Sequence, residues 1–329
     1  MVVSLEGARS LAPGHRPWAG LETSRMSEFR FIDWLRARTP TDPRVLVGPG
    51  DDTAVLVPPA RPMLVTVDML MDGTDFHLAD VGPRAVGRKA MAVNLSDIAA
   101  MAGVPTAALV SVALPQGGGQ ALGEELYLGA RDLAQLFGVS IVGGDTNSWA
   151  GQLVVSITLM GEATARGPVL RSGALRGDWV MVTGPLGGSI RGHHLTFTPR
   201  VREALALHEA ADLHAMIDIS DGLAADLNHI LEESRCGAVL FAESIPMTPD
   251  AIELSRSTGK SPLQHALGDG EDFELVFTVA QADGERLLRD QPVPGVTLVK
   301  IGECLEAGLW IESGNERRPL APTGWVHDF

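Results

Sequence analysis

Residues 83–101 read PRAVGRKAMAVNLSDIAAM, and this stretch decides the fold class. We predict a helix from Pro83 to Met101, because Gly103 and Pro105 follow it as stop signals. The β-rich run Ala107–Leu114 comes next, and then a predicted helix from Glu124 to Phe137. Strand-like and helix-like segments alternate in this way along the chain, which predicts an α/β (α+β) fold.

The length of the chain predicts two domains, because 329 residues are too many for one ordinary domain. Residues 1–25 are rich in Gly, Pro, Ser and Arg and are predicted to be a disordered leader, with Met26 as the true start. A boundary within Gly161–Gly167 divides the remainder into an N-terminal domain, residues 26–162, and a C-terminal domain, residues 163–329.

The charge balance restricts the class of partner. A formal net charge of −15 argues against nucleic acid, because phosphate backbones need a basic face. No apolar run reaches the roughly 18–20 residues that a membrane span needs. Cys236 and Cys304 match no metal-ligand spacing and fit a reducing, cytoplasmic compartment. With only three lysines in the chain, a phosphate ligand must be met mainly by metal, arginine or backbone N–H groups.

Acidic residues cluster where predicted apolar strands end. The strand Met63–Val67 is predicted to end at Asp68, and Val139–Val142 leads into Gly143-Gly144-Asp145. The other members of the set are Asp51, Asp52, Asp218, Asp221, Asp269, Glu271, Asp272 and Glu274. Converging carboxylates repel one another and require cations, and Mg²⁺ suits all-oxygen ligands that also carry phosphate. Turn and helix-cap roles are the alternative for each Asp, and Asp132 and Asp226, inside predicted helices, are expected on solvated faces.

Within the first helix, Asn94 and Asp97 lie three residues apart on one face that is otherwise apolar, and Lys89 lies near the start. A buried carboxylate there needs a partner, so the choice is between a ligand site and a hydrogen-bond network in the core.

Three segments are candidates for phosphate binding: Gly143-Gly144, the turn from Gly184 to Ser189, and Ser220 at the predicted N-terminus of a helix that runs to Ser234. Gly259-Lys260-Ser261 fails as a Walker A loop, because Leu254 replaces the first glycine. No nucleophile constellation is present, which favours direct phosphoryl transfer.

At this point the motifs resemble the thiamine-monophosphate kinase family. The matching segments follow the family order: Gly50-Asp51-Asp52, Val65-Thr66-Val67-Asp68, Lys89 to Met101, Gly143-Gly144-Asp145-Thr146, Arg171-Ser172-Gly173, Asp218 to Leu223, and Gly270 to Leu275. The resemblance implies a two-domain fold like that of aminoimidazole ribonucleotide synthetase, with dimerisation through N-terminal strands. It also implies transfer of the γ-phosphate of ATP to thiamine monophosphate, which gives thiamine diphosphate.

By residue-by-residue carry-over, the resemblance also implies site roles. The implied Mg²⁺ ligands are Asp51, Asp68, Asp97, Asp145, Asp218 and Asp221. Gly144, Asp145, Arg171 and Ser220 are implied to contact ATP. Asp75, Glu271 and Trp325 are implied at the acceptor, where a cationic thiazolium suits a carboxylate and an aromatic face.

One departure concerns the acceptor: Asp75 takes the position that is usually histidine in the family. Two alternatives therefore stay open, another ATP-dependent enzyme of the same superfamily with a different acceptor, and a non-catalytic nucleotide-binding relative.

Overall fold

The computed structural model describes residues 28–117 and 119–325, so the predicted leader and the proposed start at Met26 lie outside the described residues. The helices are α1 (Glu28–Arg36), α2 (Leu78–Val81), α3 (Pro83–Ala100), α4 (Gly119–Leu136), α5 (His193–Thr196), α6 (Val201–Ala210), α7 (Leu223–Ser234), α8 (Pro249–Thr258), α9 (Pro262–Gly268) and α10 (Gln281–Asp290). The strands are β1 (Val45–Val47), β2 (Val55–Leu56), β3 (Met63–Met71), β4 (Val104–Pro115), β5 (Ser140–Trp149), β6 (Val154–Glu162), β7 (Trp179–Val182), β8 (Leu213–Asp218), β9 (Gly237–Phe241), β10 (Leu275–Val279), β11 (Val299–Leu305), β12 (Leu309–Ser313) and β13 (Glu316–Pro319).

The N-terminal half contains a four-stranded sheet in the order β3-β6-β4-β5, so β3 and β5 are its edges. Helix α3 packs on β3 and β6 and against α4. The two helices lie very close because glycines face them: a Cβ on Gly87 would lie 1.9 Å from the Leu126 carbonyl oxygen, and one on Gly129 would lie 2.0 Å from the Arg84 carbonyl oxygen. The predicted helix over 83–101 is confirmed to within one residue.

The opposite face of this sheet is open and apolar. Five alternate residues of β3 are between 41% and 62% exposed, namely Met63, Val65, Val67, Met69 and Met71. Between them, Leu64 and Leu70 are buried on the covered face. This alternation with period two gives the strand one face packed on helix and one unpartnered face within the described chain.

The C-terminal half contains a seven-stranded sheet in the order β13-β12-β9-β11-β7-β10-β8. One hydrophobic core joins the two halves, since buried residues of α3 and β6 share a cluster with Met216, Phe273 and Phe277. The predicted α/β (α+β) class is confirmed, and the boundary at residues 162/163 stays a prediction.

Three predicted element ends beside candidate site residues are wrong, and α4 begins at Gly119, five residues before the predicted Glu124. Strand β3 continues to Met71, so Asp68 lies inside it, because β6 pairs with β3 from Glu162 to Val154. Strand β5 continues to Trp149 beside β4, so Asp145 is also within a strand. Helix α7 begins at Leu223 with Gly222 as N-cap, so Ser220 precedes the helix instead of starting it.

A membrane-spanning helix would need a longer and more apolar segment than any helix in residues 28–117 and 119–325 provides.

Candidate active site

Three of the predicted carboxylates converge between the two halves: Asp68 from the middle of β3, Asp97 from α3 and Asp218 from the end of β8. The hydroxyl of Thr66 donates a hydrogen bond to Asp97, and the hydroxyl of Ser96 donates to Asp218 Oδ2 at 2.5 Å. Helix α3 therefore supplies both Asp97 and the partner of Asp218, and positions the cluster across the interface of the halves.

The electrostatics of this cluster favour a bound cation. Burial, followed by repulsion from Asp97, Asp218 and Asp75, raises the pKa of Asp68 from 3.8 to about 7. Burial and the neighbouring Asp97 raise the pKa of Asp218 to about 7 as well. Burial also raises the pKa of Asp97, although Thr66 and Arg171 oppose the shift. Carboxyl groups held in this way bind a divalent cation readily, because the cation removes both the desolvation and the repulsion cost.

A cavity of about 470 Å³ opens beside the cluster. Asp97, Asp218 and Arg171 line its polar side. Its apolar wall includes Leu64, Ile98, Met101, Val169, Leu170 and Met216. An apolar wall next to a guanidinium and carboxylates suits a nucleotide, whose base is apolar on its faces and whose phosphates are anionic. The wall was missed from sequence, because apolar residues of helices and strands are indistinguishable from core residues there.

Asp51, Gly144 and Asp145 lie on a second surface, a cavity of about 1350 Å³ that is also lined by residues of α1, α4, β4 and β5. Strand register places Asp145 on the face opposite to Asp68: Asp68 aligns with Ile157, Val110 and Gly144 across the sheet, and Asp145 is the next residue.

The two edges that carry Asp68 and Asp145 are three strand spacings apart, about 14 Å, whereas Mg²⁺ binds its ligands at about 2.0–2.1 Å. One chain therefore does not bring Asp145 and Asp68 to a common metal, and the predicted six-carboxylate set is divided.

Gly144 is required by close backbone packing. A Cβ at this position would lie 1.8 Å from the Val110 carbonyl oxygen of the neighbouring strand, whereas one on Gly143 would meet only the Leu109 side chain, at 3.3 Å.

Asp221 belongs to a third group, with Asp226 and His229, whose ligand atoms lie within 4.8 Å of one another. The expectation of a solvated Asp226 is wrong: it is 1% exposed, and its carboxylate accepts hydrogen bonds from the N–H groups of Asp221 and Gly222 at 3.0 Å. Burial, then repulsion from Asp218 and Asp221, raises its pKa to about 8. Asp226 thus fixes the loop from Ser220 to Gly222. Its partners Asp221 and Gly222 are five and four residues away in sequence, and helical periodicity alone did not reveal this interaction. Asp132 does lie on a solvated face, as expected: its side chain is 41% exposed and pairs with Arg84 and Arg131.

The central N–H groups of the glycine-rich turn from Gly184 to Ser189 are occupied by carboxylates, which argues against the anion site that the sequence suggested there. The Gly187 N–H donates to both carboxylate oxygens of Asp272 at 2.8 and 3.0 Å, and the Gly188 N–H donates to Asp269 at 3.2 Å. Asp269 and Asp272 therefore stabilise the turn by accepting hydrogen bonds from its backbone. Burial raises the pKa of Asp272 well above its usual value.

The residues predicted at the acceptor lie around a buried lysine. Lys89 is 0% exposed, and its Nζ donates to the Asp75 carbonyl oxygen at 2.7 Å and to Glu271 Oε1 at 2.5 Å. The Asp75 carboxylate accepts the Met71 N–H at 2.7 Å. Trp325 is 55% exposed, and its backbone N–H donates to the Asp221 carbonyl oxygen at 2.9 Å. Asp75 and Glu271 are thus brought together through Lys89, and Trp325 is tied to the Asp221 loop.

Comparison with known proteins places this geometry in a family. Residues 50–163 match the family model described as AIR synthase related protein, N-terminal domain, and residues 171–309 match the corresponding C-terminal domain.

Among curated proteins, the chain is similar to the thiamine-monophosphate kinase of Rhodopirellula baltica, with 41% identity over 91% of this chain and 97% of the relative. The thiamine-monophosphate kinase of Aquifex aeolicus is 30% identical over 93% of this chain and 100% of the relative.

Among solved structures, the thiamine-monophosphate kinase from Stenotrophomonas maltophilia K279a has a TM-score of 0.77 at 32% identity, covering 87% of this chain and 97% of that one. A structure described as AaThiL complexed with AMPPCP and TMP has a TM-score of 0.72 at 28% identity, covering 94% and 100%.

Proposed function

The chain belongs to the AIR synthase related family and, within it, to the thiamine-monophosphate kinases, and from this premise we propose how its site performs the reaction. The enzyme transfers the γ-phosphoryl group of ATP to the phosphate of thiamine monophosphate, which gives thiamine diphosphate. The observation that carries this function is the convergence of Asp68, Asp97 and Asp218 beside a cavity that Arg171 also lines. Such a site positions phosphates and neutralises charge, which is most of what phosphoryl transfer requires.

Mg²⁺ fits the carboxylates present. All the donors are oxygens, and the raised pKa values of Asp68 and Asp218 are the signature of negative charge without enough local compensation. Asp68, Asp97 and Asp218 would hold ions on one surface, Asp51 and Asp145 on the second, and Asp221 on the third. Bound Mg²⁺ supplies charge neutralisation and orientation of the phosphates.

The residues of the chain itself supply the binding contacts for ATP. Arg171 lies in the cavity with the carboxylates and offers guanidinium donors to phosphate oxygens. Gly144, which packs closely on the Val110 backbone, would offer its own backbone to the nucleotide beside Asp145, and Ser220 offers its hydroxyl from the loop that Asp226 holds. No covalent intermediate is needed, because the acceptor phosphate attacks directly.

Thiamine monophosphate binds beside Asp75, Glu271 and Trp325. Its thiazolium ring carries a positive charge, which suits the Glu271 carboxylate and the indole of Trp325, a residue that is 55% exposed.

The divided carboxylate set supports a homodimer with a composite site. Two copies that pair through the apolar open faces would cover the exposed methionines and valines of β3 and bring β3 of one protomer beside β5 of its partner. Because β3 is an edge strand, Asp145 of the partner subunit would approach the cluster around Asp68 past that edge, which the Asp145 of the same chain does not. An exposed apolar strip of this kind is a typical protein interface. On this proposal, residues 26–162 form the domain that binds ATP and Mg²⁺ and makes the dimer contact, and residues 163–329 form the C-terminal domain. The use of ATP is consistent with a cytoplasmic location.

The function is tested by turnover of thiamine monophosphate by purified protein with ATP, with and without Mg²⁺. We expect thiamine diphosphate only with the metal. ATP-dependent thermal stabilisation without product would instead favour a different acceptor or a non-catalytic nucleotide-binding protein.

The composite site is tested by co-expressing Asp68→Asn and Asp145→Asn subunits under different tags. Each variant alone is expected to be inactive. In mixed dimers one of the two sites carries neither substitution, so about a quarter of the wild-type activity should return in a statistical mixture. Purified mixed dimers that stay inactive would contradict the exchange of Asp145 between protomers.

A further inference from the structure

Lys89 is a charged group in a position that ordinarily excludes charge. Lys89 lies in the second turn of α3. Its side chain is 0% exposed and is among the largest fully buried side chains of the described residues. A buried ammonium is stable only where hydrogen-bond acceptors compensate it. Two such acceptors are present, one from each half of the molecule: the Asp75 carbonyl oxygen at 2.7 Å and Glu271 Oε1 at 2.5 Å.

Hydrogen bonds hold the backbone of the segment from Glu271 to Phe273 in an unfavourable conformation. Glu271 and Phe273 both adopt a left-handed backbone, with φ of 55° and 51°, which is unfavourable for residues other than glycine. The Glu271 N–H donates to the Ser220 carbonyl oxygen at 2.7 Å, and the Phe273 N–H donates to the Ile219 carbonyl oxygen at 2.8 Å. The segment is therefore tied by its backbone to the loop of Ser220 and by the Glu271 carboxylate to Lys89.

The bond to Lys89 fixes Glu271 without hiding it. One carboxylate oxygen binds the ammonium, while 35% of the side chain stays exposed. The same ammonium binds the backbone of the turn that carries Asp75. Two of the three residues assigned to the acceptor, Asp75 and Glu271, thus depend on one buried cation, which belongs to neither the metal cluster nor the cavity beside Arg171.

We propose that Lys89 is a positioning residue for the acceptor: it aligns Glu271 and the Asp75 turn so that the carboxylate meets the cationic ring of thiamine monophosphate. This inference rests on the proposed function. It predicts that loss of the ammonium weakens acceptor binding selectively, because the ATP side is held by other contacts.

The test is a double-mutant cycle of Lys89→Met, Glu271→Gln and the double variant, with KM for thiamine monophosphate and for ATP and the thermal midpoint measured for each. Lys300→Met is the matched control, since Lys300 also pairs with a glutamate, Glu303, at 2.5 Å, but in β11. We expect Lys89→Met to raise the acceptor KM by about 10-fold, the lower end of the effect of one charge-assisted hydrogen bond. The KM for ATP should change by less than about 2-fold.

The cycle separates positioning from general stability. If Lys89 acts through Glu271, the double variant should have an acceptor KM no higher than that of the worse single variant. Additive effects, equal rises in both KM values, or an unchanged acceptor KM would overturn the inference. If Lys89→Met does not melt cooperatively, Lys89→Arg replaces it in the cycle, because it keeps the charge but displaces the donor, and the same coupling is expected.

The two proposals fail differently. A wild-type protein that forms no thiamine diphosphate refutes the proposed function. A working wild-type enzyme whose Lys89→Met variant keeps its acceptor KM refutes the role of Lys89.

Discussion

Replacing Asp68 by asparagine should stabilise the metal-free protein at pH 8 while abolishing its turnover. Among the described residues none donates a hydrogen bond to the Asp68 carboxylate, whereas Asp97 and Asp218 accept from Thr66 and Ser96. The substitution therefore removes a buried charge, and the repulsion it causes, without leaving a donor unpaired.

The magnitude follows from the pKa. Raising the carboxyl pKa from 3.8 to about 7 costs the folded protein about 4 kcal/mol at pH 8, at 1.36 kcal/mol per pKa unit. Because neighbouring carboxylates relax when one charge is removed, we expect roughly half, about 2 kcal/mol. With an unfolding entropy near 2.1 cal/mol/K per residue, this gives a rise in Tm of about 3 °C.

The sign depends on pH. Since the folded pKa of Asp68 lies above its unfolded value, the folded state holds the proton more tightly, and the penalty is absent below about pH 4. The penalty grows as pH rises from about 4 to about 7 and is complete above that range. The gap in stability between Asp68→Asn and the wild type should therefore open over this window.

The assay is thermal or urea unfolding in EDTA at pH 4.5, 6 and 8, repeated with Mg²⁺. Asp132→Asn serves as control, because Asp132 is paired with Arg84 and Arg131 instead of facing like charge. Mg²⁺ should stabilise the wild type more than Asp68→Asn. A variant that is less stable than the wild type at pH 8 in EDTA, or a gap that does not vary with pH, would refute the account of the cluster.

Three further outcomes follow from the site. Gly144→Ala should lower both stability and turnover because of the 1.8 Å approach to the Val110 carbonyl oxygen, while Gly143→Ala should be tolerated; equal thermal midpoints for the two variants would contradict this. Arg171→Gln should raise the KM for ATP by about 10-fold or more through loss of a charge-assisted contact, with little change in the acceptor KM, as steady-state kinetics would reveal. Asp75→His should alter the KM for thiamine monophosphate and leave that for ATP within about 2-fold; an unchanged acceptor KM would remove Asp75 from the acceptor site.

The sequence alone determined much of the fold and the chemistry. The alternation of helix and strand predicted the fold class, and the stop signals at Gly103 and Pro105 located the end of α3 to within one residue. Carboxylates at the ends of predicted apolar strands pointed to Asp68 and Asp218, and a carboxylate on an otherwise apolar helix pointed to Asp97, because charge in such places requires a ligand or a partner. These features are local in sequence, so they can be recognised without knowing which residues lie nearby in the folded chain.

Only the tertiary structure decided which carboxylates meet. Strand β3 runs past Asp68 because β6, almost 90 positions along the chain, continues the ladder, and no local pattern contains that pairing. The face and the edge of the sheet on which Asp145 lies follow from the same register.

The burial of Lys89 is likewise a property of the assembled halves, since its carboxylate partner Glu271 is 182 residues away in sequence. Periodicity records which residues share a face of one element. The distance between charges on different elements is set by long-range pairing and packing, and at this site those distances determine which residues act on metal, nucleotide and acceptor.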